Sequence, residues 1–248
     1  MNYLIKFIWA VSYLFTVLPA SEESKQKNDP YLERFSRIYK DGEWGYNQQG
    51  VGFSGGGSLK ENSEKVLNYL QSFFKKHHIK SVLDIGCGDW ELFKHINWNG
   101  IDYKGYDIVD FIIEKNKQDY EKNNIHFFHA NITAQDFPDA DLVICKHVMQ
   151  HLSNKDVFAI LERIKKYKHC IIINQIEEKG ITPNENLAFG KDRKLDITQP
   201  PFYAGTEVFR YRIKDLGLHQ VSYLHYGKKK PSFFDNIKAL FTASKKSN

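Results

Sequence analysis

The sequence predicts an α/β domain built on a mostly parallel, seven-stranded sheet with helices on both faces. Three observations carry this. From residue 81 onward, short runs rich in Val, Ile and Leu alternate with longer segments of helical apolar spacing, the pattern of strands covered on both sides. One run, Val82-Leu83-Asp84-Ile85, leads into Gly86-Cys87-Gly88-Asp89-Trp90. An acid followed by two alternate glycines suits a tight strand-to-helix turn, where the backbone can approach a ligand closely. Finally, 248 residues that are 42% hydrophobic and 26% charged suffice for one such domain with its own core.

The elements follow in order. Residues 1–20 read as a signal peptide or membrane anchor: Leu4 to Leu18 is apolar apart from Lys6, Ser12, Tyr13 and Thr16, and Pro19-Ala20-Ser21 follows. The run is short for a spanning helix, which needs about 20 residues. Residues 21–30 are a polar linker. Residues 31–78 hold two helices and a loop. Tyr31–Tyr39 mixes aromatic and charged residues as a short helix does. Gly50–Ser58 is too rich in glycine for a regular element and reads as a mobile lid. Leu59–His78 has helical spacing at Val66, Leu67, Leu70, Phe73 and Phe74, with Ser58 and Glu61 placed as a capping box.

Residues 79–227 carry the alternation. Ser81–Ile85, Tyr103–Ile108, Ile125–His129, Asp141–Lys146 and His169–Asn174 are the first five strands. Glu91–Ile96 reads as helical, Asp110–Asn123 as a helix, and Asn154 as the cap of another through Ile164. Thr206–Ile213 and Leu218–Tyr226 form a hairpin that completes seven strands; the alternative is a helix over Glu207–Leu216 capped by Gly217. Residues 228–248 are a basic amphipathic tail.

Composition narrows the function. A net charge of +5 is too weak to argue for nucleic acid by itself. Cys87, Cys145 and Cys170 are odd in number, each in or beside a strand, and lack metal-ligand spacing. They read as buried thiols, and no metal is expected.

Further motifs then fall into order. Asp107 closes the second strand, 23 residues after Asp84, where a carboxylate can accept hydrogen bonds from ribose hydroxyls. His129-Ala130-Asn131-Ile132 follows the third strand, and Lys146-His147-Val148-Met149-Gln150-His151-Leu152 follows the fourth. This set, across roughly residues 35–215, resembles the class I S-adenosylmethionine (SAM) methyltransferases, a Rossmann-like family. It is most similar to small members of undefined substrate, in which a Trp and a Gly/Ser-rich loop precede the first strand and Pro-Pro-Phe follows the fifth, as Trp44, Ser54–Ser58 and Pro200-Pro201-Phe202 do here. The sequence departs from the family pattern at Asp89-Trp90, where a third glycine is common, at Asn131, where an acid is common, and at Lys146, where Arg is more usual.

The resemblance implies SAM as cofactor and residues 79–227 as the SAM-binding domain. Gly86, Cys87 and Gly88 would meet the methionine end and Asp84 its ammonium. Asp107 and Ile108 would meet the ribose, Asn131 and Ile132 the adenine, and Lys146 would complete the cofactor set. Trp44, Tyr46 and Ser54 would belong to a lid. His151 and His147, four apart and able to share a helix face, are candidate general bases for an O or N nucleophile of a small-molecule acceptor.

Two rivals remain. An NAD-type oxidoreductase would want a third glycine in the turn. A catalytically inactive secreted or membrane-tethered binding module would fit the leader. Residues 1–20 imply export or membrane association, whereas SAM implies the cytoplasm, where the chain belongs if that segment is not a functional signal.

Overall fold

A computed structural model describes residues 29–187 and 191–227. The expected leader, most of the linker and the basic tail lie outside them. Seven strands form one sheet in the order β3-β2-β1-β4-β5-β7-β6. They are β1 (Ser81–Ile85), β2 (Asp102–Asp107), β3 (Ile125–His129), β4 (Leu142–Lys146), β5 (His169–Gln175), β6 (Thr206–Ile213) and β7 (Gly217–His225). The first five pair in parallel, and β7 runs antiparallel between β5 and β6. The hairpin reading therefore holds and the Glu207–Leu216 helix does not form. Asp215 and Gly217 take positive φ in its tight turn.

Helices α1 (Pro30–Asp41), α2 (Lys60–His77), α3 (Asp110–Tyr120) and α4 (Asn154–Arg163) surround the sheet. Side chains of β5 alternate across it. Ile171 and Ile173 join the core that holds Val66, Leu70 and Phe74 of α2, while Cys170 and Ile172 join the core that holds Val157, Ile160 and Leu161 of α4. Two covered faces explain why the strands read as apolar runs rather than alternating ones. None of the described helices is long and apolar enough to cross a membrane.

Several local expectations are corrected. No helix spans Glu91–Ile96; only a 3-10 turn at Phe93–His95 forms. The chain reaches it through Trp90, which takes φ +57° and is buried among Trp98, Tyr103, Tyr120 and Phe127. Ser58 does not cap α2. Its Oγ donates to the Ser54 carbonyl, and the helix starts one residue later than that cap would place it, at Lys60, without a side-chain cap. Ser153, not Asn154, caps α4, accepting from the Asp156 amide at 3.2 Å. Helix α3 stops at Tyr120, short of Asn123.

Candidate active site

The carboxyl ends of β1, β2 and β4 meet at one cleft, with about 900 Å³ of non-atom space including its open mouth. Crevices at this end of a parallel sheet are where such folds bind ligands. The floor is the turn after β1. Gly86 and Cys87 both donate their amides to the Tyr106 carbonyl, at 2.7 and 3.0 Å, drawing the turn onto β2. Gly86 and Gly88 take φ +84° and +54°. Space left by their missing Cβ atoms is filled by protein. A Cβ on Gly86 would lie 2.2 Å from Val148 Cγ2, and one on Gly88 would lie 2.4 Å from Ser54 Oγ. The glycines thus let Val148 and Ser54 close on the turn, a use beyond the ligand approach read from sequence.

Four acidic residues line the cleft, Asp84, Asp89, Glu91 and Asp107, and two of them, Asp84 and Asp107, stand at strand ends. Asp107 accepts from the Gly88 amide at 2.9 Å and the Val109 amide at 3.0 Å, one on each oxygen. Burial pushes its pKa up, against the pull of those backbone donors. Asp84 is buried and accepts from Tyr103 Oη at 2.7 Å. Burial is the main cause that pushes its pKa up to about 7; the Tyr103 bond opposes this and Asp107 adds to it. Ile108, Asn131, Ile132, Thr133 and Leu152 line the cleft farther along. Asn131 is engaged locally: its Oδ1 accepts from the Thr133 amide and hydroxyl, both at 2.8 Å, and its Nδ2 donates to Asp29 Oδ2 at 2.5 Å.

Helix α1 closes the top. Tyr31, Phe35 and Tyr39, four apart, put one helical face along the cleft. Asp29 at its start bonds Asn131, and Tyr39 Oη at its other end lies 2.6 Å from Ser54 Oγ. The glycine-rich loop is latched, not free. Ser54 and Asp89 exchange two bonds, amide to Oδ2 at 2.9 Å and amide to Oγ at 3.0 Å. The Gly57 carbonyl accepts from Lys146 Nζ at 2.6 Å and from Ser63 Oγ at 2.8 Å. Gly56–Ser58 is itself a 3-10 turn. Trp44 lies 5.8 Å from the Tyr39 ring and 5.1 Å from the His151 ring. Tyr46 does not line the cleft; it is exposed and donates to the Asp41 carbonyl at 2.7 Å.

The far wall follows β4. Lys146 is enclosed, and burial pulls its pKa down to about 8, with Asp84 and Asp89 opposing. His147 takes φ +55°, sits 3.3 Å from Lys146 Nζ through Nδ1, and leaves a buried Nε2 without a partner among the described residues. Burial first, then Lys146, holds it well below the usual imidazole range. His151 lies in a 3-10 turn, Met149–His151, so the two imidazoles do not share an α-helical face. Among the described residues no group of three or more His, Cys, Asp or Glu is placed to hold a metal.

Residues 82–167 match the family described as methyltransferase domain. The chain carries a class I SAM-dependent methyltransferase domain. The fold is that of the SAM-binding methyltransferases, and the matched domain is of that enzyme class. Solved structures share the fold at low identity. Magnesium protoporphyrin IX methyltransferase from Synechocystis PCC 6803, with bound SAM, has a TM-score of 0.52 at 13% identity, covering 82% of this chain and 94% of its own. The PH0226 protein from Pyrococcus horikoshii OT3 has a TM-score of 0.51 at 15% identity, covering 77% and 96%. TehB from Haemophilus influenzae has a TM-score of 0.50 at 15% identity, covering 68% and 67%. No curated protein matches the chain in sequence.

Of the residues singled out from the sequence, Asp84, Gly86, Cys87, Gly88, Asp107, Ile108, Asn131, Ile132, Lys146, His147, His151, Trp44 and Ser54 line this cleft; Tyr46 alone falls outside. The cleft's chemistry suits SAM: two carboxylates for a cationic, hydroxyl-bearing ligand, and aliphatic and aromatic walls for a flat base. Sequence reasoning passed over Phe35, Tyr39, Thr133 and Leu152, which also line it. The four-residue spacing of Tyr31, Phe35 and Tyr39 is the signal that was available. Nothing in the sequence tells that their face meets a ligand site rather than the core.

Proposed function

We propose that the enzyme methylates an oxygen or nitrogen nucleophile of a small-molecule acceptor. In this reading Asp107 takes the ribose hydroxyls and Asp84 the ammonium. Ile132 and Leu152 flank the adenine, with Asn131 at its edge. SAM, held there, would supply an electrophilic methyl group with a neutral thioether as leaving group. The chain's own residues align the acceptor, exclude water and take up a proton. His151, beside Trp44 in the cleft wall, is the base. His147 is the weaker choice, because its surroundings hold it far from protonation.

One observation carries the reading. A fixed carboxylate at the end of β2 and a buried one at the end of β1 face the same cleft as His151. The α1 roof supports a small acceptor, since it narrows the cleft to a partly covered, aromatic-lined space. Calorimetric titration of SAM and S-adenosylhomocysteine into the protein tests the site. Micromolar binding that Asp107→Ala weakens at least about tenfold is expected, about 1.4 kcal/mol. Wild-type affinity in a folded Asp107→Ala protein would overturn the ribose role. Absence of binding by folded wild type would instead favour an inactive binding module.

We infer from residues 1–20 that the chain is exported or membrane-tethered. N-terminal sequencing and fractionation of the protein from its native cell test this; a mature cytosolic chain that retains Met1 would refute it.

A further inference from the structure

His151 has a neighbour that the reaction scheme above does not use. Residues 191–197 cross beside the cleft, and Arg193 fastens them. Its Nη1 donates to Asn154 Oδ1 at 2.5 Å and to the Glu185 carbonyl, and its Nη2 donates to the Leu152 carbonyl at 2.8 Å. Leu152 directly follows His151, so the segment is secured within one residue of the imidazole. Gln150 completes the placement. Its Oε1 accepts from the Gln175 amide at 3.0 Å, which orients the carboxamide, and its Nε2 donates to Asp192 Oδ1 at 3.1 Å. Asp192 Oδ1 thereby lies 3.6 Å from His151 Nδ1, and the Lys191 carbonyl lies 3.3 Å from the same nitrogen. Trp44 and Phe35 pack on the ring, with centroids at 5.1 and 6.0 Å.

We infer that Asp192 is a positioning residue for His151: with the Lys191 carbonyl, it keeps the imidazole proton on Nδ1 and leaves Nε2 to receive the acceptor's proton. This rests on His151 being the base. The Lys191 carbonyl within hydrogen-bond distance of Nδ1, and the Asp192 charge just beyond it, favour a proton on that nitrogen, in the way that a carboxylate or carbonyl orients a working histidine. In the step assigned to it, the acceptor's X–H proton passes to Nε2. The electron pair left on X forms the bond to the methyl carbon. The resulting imidazolium later releases its proton to water.

Charged groups reach His151 from each side. Asp192 comes from the strap and Arg34 from α1, while the His147 backbone contributes from the segment after β4. Burial and Arg34 disfavour the imidazolium; Asp192 and the two backbone groups favour it. Asp192 is itself exposed and lies 3.6 Å from Nδ1, so it acts on the imidazole through a solvent-weakened charge that favours a proton on the Nδ1 side.

The test is long-range proton–nitrogen NMR on full-length, histidine-labelled protein, titrated from acid to alkaline pH, with His151→Gln to assign the ring. Wild type should show His151 protonated on Nδ1 when neutral. Asp192→Asn should lower its midpoint by about half a pH unit or more and raise the Nε2–H population. Asp192→Glu should restore both. A wild-type Nε2–H tautomer, or values unchanged by Asp192→Asn, would overturn the assignment. SAM calorimetry on the same samples is read separately. Loss of wild-type SAM binding would sink the cofactor reading without touching the tautomer result.

Discussion

Asp84 illustrates how much one residue's surroundings can decide. A carboxylate on a β-strand is ordinary in sequence. At the end of β1 it is buried against Tyr103, with its pKa pushed up to about 7. In the free protein it is therefore largely protonated below pH 7. If it holds the SAM ammonium it must ionise on binding and lose its proton. SAM affinity should then rise with pH up to about 7 and level off above, by as much as roughly tenfold per unit on the acid side. Calorimetry in buffers of different ionisation enthalpy should register the released proton. Asp84→Asn should flatten the profile. A wild-type affinity indifferent to pH would remove Asp84 from the ammonium.

At the scale of elements, the loop after α1 and the turn after β1 act as one unit. The Ser54–Asp89 exchange, the Tyr39 hydroxyl and the two donors on the Gly57 carbonyl tie them together. Ser54→Ala removes the hydroxyl shared by Tyr39 and the Asp89 amide. It should cost about 1–2 kcal/mol and speed amide exchange across Gly55–Ser58 several-fold, while leaving β1–β5 protected. Exchange that is unchanged at those amides would show that the latch does not hold the loop.

The same region marks how far sequence reading reaches. The seven strands, the closing hairpin and the carboxylates at the ends of β1 and β2 were legible, because buried strands and tight turns leave local signatures of composition and spacing; the order of the strands in the sheet was not. The Ser54 latch was not. Five glycines between Gly50 and Gly57 look alike whether the backbone is free or pinned, and the pinning partners lie 35 and 89 residues away. Trp90 escaped for a related reason: an aromatic at the end of a turn gives no sign that it will take φ +57° to reach the core, where the chain then forms no helix over Glu91–Ile96. Asp192 was invisible because its relation to His151 is set by Arg193 and Gln150, through contacts that no periodicity records.

Across the whole molecule, imidazoles are buried at both ends of the sheet. His219 lies beside His147 near the cleft, and His169 lies with His77 and His225 at the opposite end. Burial is the first cause that pulls both His169 and His219 down to about 4. Their folded values lie below the unfolded value of about 6.5, so the unfolded chain binds more protons between those limits. Their stabilising contribution is complete above pH 6.5 and is lost as pH falls toward 4. Over that interval the two histidines together withdraw roughly 7 kcal/mol, and Asp84, raised to about 7, returns about half of it, so the protein should lose on the order of 3 kcal/mol, seen as a falling unfolding temperature. His219→Gln should shallow the slope. A melting temperature constant from pH 7 to 5 would contradict the burial argument.

The roof formed by α1 has a further consequence. Its aromatic face runs the length of the cleft, from Asn131 at one end to Gly88 at the other. A ligand seated beneath that roof is freed when the helix and the latched loop lift. Cofactor arrival and departure of the spent product then follow one clock, the opening rate of some thirty residues. Turnover would be paced by traffic through a door rather than by the bond-making step behind it.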